Sequence, residues 1–154
     1  MTRADVIKNF FVYLHEELKD TGMVTSADLF GLVTTATDDL GIGQKLEYAL
    51  PYFDYICPMV YPSHFAKGTY NIANPAANPH DIIKESMGKA VERAKAMGED
   101  PNKLRPWLQD FDLGEKYTPE MVRAQITATY EVGLNSWLLW DAGNTYTKSA
   151  LKIE

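Results

Sequence analysis

The stretch ICPMVYPSHF, Ile56–Phe65, starts as an apolar run suited to a buried strand and passes through two prolines and a tyrosine into Ser63, His64 and Phe65. A core strand that ends in polar and aromatic groups is expected in a parallel α/β sheet, where ligands gather at the carboxyl ends of the strands. Its neighbours repeat the pattern. Upstream, TDDLGIGQKLEYAL places Leu40, Leu46 and Leu50 at helical spacing until Pro51 stops it, and before that MVTSADLFGLV, Met23–Val33, is β-branched and apolar around Asp28. The first segment predicts a helix on the stripe Val6, Phe10, Tyr13, Leu14 and Leu18, closed by Asp20 and Gly22.

Downstream, SHFAKGTYNIANPAANP is a loop rich in Gly, Asn and Pro, and connections of that length are usually functional or disordered. Asn78 then caps a helix with Pro79 in its first turn and a stripe of Ile82, Ile83, Met87, Ala90, Val91 and Ala94, ending at Gly98. KLRPWLQDFDL predicts a third strand. Thr118 and Pro119 open the last helix, with Val122, Ile126 and Tyr130 inward and Gly133 as its stop, and NSWLLWDAG predicts a fourth strand. Strands and helices in alternation, with nearly continuous apolar strands, describe a parallel sheet covered by helices. Two architectures fit: a small open parallel sheet, or part of a TIM (β/α)8 barrel, which takes about 250 residues when complete. At 154 residues the chain is sized for one domain, residues 1–154, and length alone favours the open sheet.

Composition narrows the partners. A net charge of -6, with Lys89, Arg93 and Lys95 on one solvated helix face as the main basic feature, argues against nucleic acid or an anionic membrane. No apolar run approaches the roughly 20 residues of a membrane span, and MTRADVIKNFF lacks the pattern of a secretory signal. The single Cys57 is expected to pack in its strand. Neither a zinc-ligand spacing nor a calcium loop is present, so no metal and no cofactor is expected.

The candidate site follows from where polar residues fall. Strand one leads into Ser26 and Asp28, strand two into Tyr61, Ser63 and His64, strand three into Trp107, Gln109, Asp110 and Asp112, and strand four into Trp140, Asp141 and Asn144. Aromatic faces stack on sugar rings while Asp, Asn, Gln and His bond hydroxyls, so a carbohydrate is the expected partner. Asp28, Asp110 and Asp141 are the carboxylates from which an acid and base pair for glycoside cleavage could come. Each has a plainer reading. Asp28 could cap a turn, His64 could anchor the loop, and Asp38 and Asp39 read as a solvated helix start. Trp137 and Trp140 lie three apart and so point to opposite faces of a strand; Trp140 is assigned to the site and Trp137 to the core.

The segments VTSADLFGLVTTATDDLGIGQKLE, FDYICPMVYPSHFAKGTYNIANPAANP, LRPWLQDF and GLNSWLLWDAGNTYT resemble the bacterial putative glycosyl hydrolase domain family of otherwise unassigned function, whose members look like barrel glycosidases distantly akin to family 18 chitinases. The resemblance implies the carboxyl half of a TIM barrel. Met59 to Tyr61 is similar to the Met-x-Tyr motif of the sixth strand, and Trp140 to the tryptophan of the eighth. It also implies that Tyr61 stabilises a sugar cation and that Trp140 stacks beneath the ring. The fourth-strand acidic motif with the proton donor would precede residue 1, so the chain is expected to hydrolyse glycosides poorly or not at all alone. The site set is thus Asp28, Tyr61 and Asp110 as catalytic candidates, with Met59, His64, Trp107, Gln109, Trp140, Asp141 and Asn144 binding substrate. A non-catalytic carbohydrate-binding or structural remnant is the alternative. Full-length relatives are expected to be exported or at the cell surface. A half barrel has two open edges and a bare interior face, so a homodimer or an amino-terminal half barrel is the expected partner.

Overall fold

In the computed structural model, which describes residues 1–151, four strands and four helices alternate. The order is α1 (Arg3–Leu18), β1 (Ser26–Phe30), α2 (Leu46–Ala49), β2 (Tyr55–Met59), α3 (Pro79–Ala96), β3 (Trp107–Gln109), α4 (Pro119–Glu131) and β4 (Leu138–Trp140). The sheet is all parallel and its order is β1-β2-β3-β4. The strands add in one direction without reversal. Right-handed crossovers that always step the same way put every connection on one face. Ala27, Leu29, Ile56, Leu108 and Leu139 accordingly point into a single core with Phe11 of α1, Leu46 and Ala49 of α2, Ile82, Ile83 and Met87 of α3 and Ile126 of α4. This is an α/β parallel sheet of the kind found in a half barrel and in a small open sheet.

Local sequence explains most elements. Thr2 caps α1 in a reciprocal box with Asp5, and Thr118 accepts from Met121 N–H at the start of α4, where Pro119 occupies the first turn. Asn78 stands before Pro79 as expected, but its side chain donates to the Asn74 carbonyl at 2.8 Å and leaves the helix N–H groups alone.

Four expectations change, the simplest being Tyr130 of α4, which is 47% exposed where the sequence placed it inward. The helix over residues 37–50 shrinks to α2 and one 3-10 turn, Leu50–Tyr52. Asp38 and Asp39 accept from Leu40 and Gly41 N–H in tight turns, and Gly43 at φ 82 lies so close to Arg3 that a Cβ would be 3.0 Å from its carbonyl oxygen. A helix cannot run through that corner. In α1 the docked stripe is Ala4, Ile7, Phe11 and Leu14, with Phe11 edge-on to Phe53 at 5.2 Å, while Val6, Phe10 and Tyr13 are 52%, 52% and 58% exposed. Of the expected stripe Leu14 docks and Leu18 is half-buried, while its first three residues give way to Ala4, Ile7 and Phe11. Finally, Arg93 is no solvated charge. It forms a two-pronged ion pair with Glu47 (Nε–Oε1 and Nη2–Oε2, both 2.7 Å) and donates to the carbonyls of Val33 and Thr34.

The long loop after β2 is ordered by three 3-10 turns, Pro62–His64, Thr69–Asn71 and Pro75–Ala77, and by burial of Phe65, Pro75 and Ala76. Tyr70 holds it to the β1 connection through a 3.1 Å hydroxyl contact with Thr35.

Candidate functional site

Parallel neighbours in register share a face, so the pairs Asp28↔Cys57, Phe30↔Met59, Met59↔Trp107 and Gln109↔Trp140 define the side of the sheet opposite the helices. Among the described residues no helix covers this side. Ser26, Asp28, Phe30 and Trp140 are exposed on it. Ser26 begins β1 and Asp28 sits mid-strand, so both lie further from the carboxyl end than the sequence suggested.

The chemistry collects around Trp107. Its indole Nε1 donates to Asp28 Oδ1 at 2.8 Å, across the intervening strand, and its ring meets Trp140 edge-on at 5.8 Å and 85°. Beyond the end of β2, Tyr61, His64 and Phe111 form a mutual edge-on cluster with centroids 5.3, 5.4 and 5.9 Å apart. The two groups are linked electrostatically: burial, and then the charge of Asp28, pushes the Tyr61 hydroxyl up to about 12 and the Cys57 thiol up to about 11. Tyr61 is therefore a neutral hydroxyl at any physiological pH. Cys57, buried in β2, is an unreactive thiol that packs.

Not every candidate joins this group. Gln109 is fully buried and fully engaged: its backbone N–H and carbonyl bond the Gln125 side chain (2.9 and 2.8 Å), while its own side chain accepts from Ser63 N–H and donates to the Phe111 carbonyl. It braces the loop that carries His64. Asp110 is 7% exposed and accepts from Thr147 N–H at 2.8 Å, while its Oδ1 has no partner among the described residues. Asp141 accepts from Thr145 N–H, Asp112 accepts from Tyr117 N–H, and Asn144 sits at φ 53 in the turn after β4. His64 shares a 3.1 Å contact with Ser63 Oγ. Trp137 packs on the core and its indole donates to Tyr130 OH at 3.0 Å, so Trp140 is the tryptophan of β4 that faces the bare side.

Phe111 is the site residue that sequence reasoning passed over. Its only signal is an aromatic group two positions beyond Gln109, where β3 ends. A cavity of about 250 Å³ at the opposite end of the sheet is lined by His15, Lys19, Tyr52, Asp54 and Lys103. Its basic side chains are already bonded, His15 to the Tyr52 carbonyl, Lys19 to Glu16 and Lys103 to Glu99.

The raised phenol and thiol make a testable alkaline limit. Both groups are neutral when protonated and titrate more easily in the unfolded chain, from 10.0 and 9.0. Their share of stability is complete below about pH 8 and drains as pH climbs towards the folded values, by about 4 kcal/mol at pH 11 for the two together. Urea midpoints should fall between pH 7 and pH 11, and a thiol reagent at pH 8 should label Cys57 only after unfolding. Fast labelling of the folded protein would contradict the buried placement.

Residues 1–146 match the model of a family described as a putative glycosyl hydrolase domain. No curated protein and no solved structure matches the chain.

Proposed function

The chain thus belongs to the putative glycosyl hydrolase domain family, and from that premise we propose that it is the carboxyl half of a (β/α)8 glycosidase barrel whose mouth binds carbohydrate. The observation that carries the reading is the meeting of Asp28, Trp107 and Trp140 on the helix-free side of one parallel sheet, with Tyr61 in the aromatic cluster just beyond the end of β2. An exposed indole offers a stacking face, a neutral phenol offers a hydroxyl that can donate, and a carboxylate accepts from sugar hydroxyls.

The same geometry favours binding over cleavage by this chain alone. Glycoside hydrolysis needs two carboxyl groups flanking the bond, about 5 to 9.5 Å apart. Asp28 is the exposed carboxylate of the cluster, whereas Asp110 and Asp141 are committed to backbone N–H groups of the segment after β4. A second carboxylate would come from whatever completes the barrel. Free edges on β1 and β4, the bare sheet face and the exposed α1 stripe of Val6, Phe10 and Tyr13 support a second copy of the chain in that place.

Two measurements test this. Light scattering should give twice the 17.3 kDa chain mass at micromolar concentration, and a monomer would favour the open sheet or an amino-terminal half barrel. Calorimetry with cellohexaose and chitohexaose should show saturable binding that Trp140→Ala weakens at least tenfold, since base or sugar stacking on an indole contributes about 1–3 kcal/mol. Aryl glycosides should turn over slowly or not at all. Brisk turnover that survives Asp28→Asn would remove Asp28 from the chemistry.

A further inference from the structure

We propose that Trp107 is a positioning residue, which sets the Asp28 carboxylate and the Trp140 stacking face as one unit; the inference rests on the carbohydrate reading but has a readout independent of it. The sequence suggests that Trp107 stacks on substrate directly. The structure gives it other work. Its one polar atom is taken by Asp28 Oδ1 at 2.8 Å, and its ring edge and face are set against Trp140 at 85°.

Neither Asp28 nor Trp140 has another means of orientation among the described contacts. Asp28 lies on β1, an edge strand, and is exposed; Trp107 is the donor that reaches it, from β3, 79 positions away in sequence. A carboxylate on an exposed strand samples several rotamers unless a donor selects one, and a hydrogen bond to a charged group is stronger than a neutral one. With Oδ1 occupied by the indole, Oδ2 is the oxygen left to accept from a ligand hydroxyl. Trp140 is 44% exposed at the end of β4, and the edge contact with Trp107 sets which of its faces looks out over the sheet.

The link is not needed for the fold. Asp28, Trp107 and Trp140 stand outside the clusters of buried apolar side chains that hold helices to sheet. Trp107→Phe keeps an aromatic ring in place and deletes the donor, so it should fold with an unchanged urea midpoint.

The chain has three tryptophans, hence three indole N–H signals in a nitrogen–proton correlation spectrum. Trp107→Phe identifies one by its disappearance. That signal should move in Asp28→Asn and in Trp140→Phe, while the Trp137 signal, bonded to Tyr130, stays put. If Asp28→Asn leaves the Trp107 signal unmoved, the proposal is overturned whatever the protein binds. For cellohexaose and chitohexaose, Trp107→Phe and Asp28→Asn should each lower affinity about tenfold, and the double variant should lose little more than either single one, because the two act as one device. Additive losses would mean that Trp107 contacts sugar independently, which also overturns the positioning role. If the wild-type protein binds neither hexaose, the carbohydrate reading fails, and the indole shifts still decide whether Trp107 orients Asp28.

Discussion

Gly31→Ala should be among the most damaging single-methyl changes available in this chain, lowering stability by about 3 kcal/mol or more and the melting temperature by about 10 °C. Gly31 follows directly on β1, where Phe30 pairs with Met59 of β2. A Cβ at this position would sit 2.4 Å from the Met59 carbonyl oxygen and 3.0 Å from Val60 Cα. Those atoms are backbone, so no side-chain rotation relieves the contact; the carboxyl ends of β1 and β2 must part. Met59 and Tyr61 lie on the displaced segment, so sugar binding should fall together with stability. A matched control is Gly88→Ala in α3, whose Cβ would meet only Val132 Cγ1 at 3.7 Å. There the helix gains propensity, and stability should rise by about 0.5–1 kcal/mol. Thermal melts of the two variants give opposite signs if the strand spacing is as described. An unchanged melting temperature for Gly31→Ala would mean that β1 and β2 do not approach this closely.

Arg93→Ala should cost about 3 kcal/mol, read as a drop in urea midpoint at pH 7. Its guanidinium joins three parts of the helix layer: α3, which bears it, Glu47 of α2, and the carbonyls of Val33 and Thr34 in the turn after β1. The side chains are 20% and 36% exposed, so both charges are partly withdrawn from water and each depends on the other. Removing Arg93 strands the Glu47 carboxylate and two carbonyls together. Arg93→Lys should recover only part of the loss, because an ammonium cannot make the paired contact with both carboxylate oxygens. Burial alone would push Glu47 up, but the Arg93 donors hold it below the ordinary 4.5. This share of stability is therefore complete above about pH 4.5 and drains as pH falls through the lower folded value. A variant that loses nothing at pH 7 would return Arg93 to the solvated face that its sequence neighbours suggest.

What the sequence carried, and what it did not, follows from how local each feature is. The helices α3 and α4 announce themselves because a cap position, a first-turn proline and a stripe at three- and four-residue steps lie within one short window. The strand β2 was plain from a dense apolar run, and the split of Trp137 from Trp140 follows from strand alternation. The order of the sheet, by contrast, depends on the hand of the crossovers and not on any residue. Partners far apart in sequence left no trace: Arg93 with Glu47 is 46 positions apart, and Trp107 with Asp28 is 79. The stripe of α1 was undecidable at its start because Val6, Phe10 and Leu14 and Ile7, Phe11 and Leu14 are both at helical spacing, and only contact with Phe53 selects Phe11. For the candidate site, residue type singled out Asp28, Trp107 and Trp140, which the structure brings together. It did not distinguish Asp28, exposed on the bare face and bonded to Trp107, from Asp110, which is buried beneath the segment after β4.

A carbohydrate ligand should meet the sheet face around Trp107. Chitohexaose or cellohexaose added to nitrogen-labelled protein should shift the indole signals of Trp107 and Trp140 and the backbone signals of Phe30, Met59 and Tyr61, leaving Trp137 where it was. Shifts confined to His15, Tyr52 and Lys103 around the cavity at the opposite end, or no shifts at all at millimolar oligosaccharide, would contradict it.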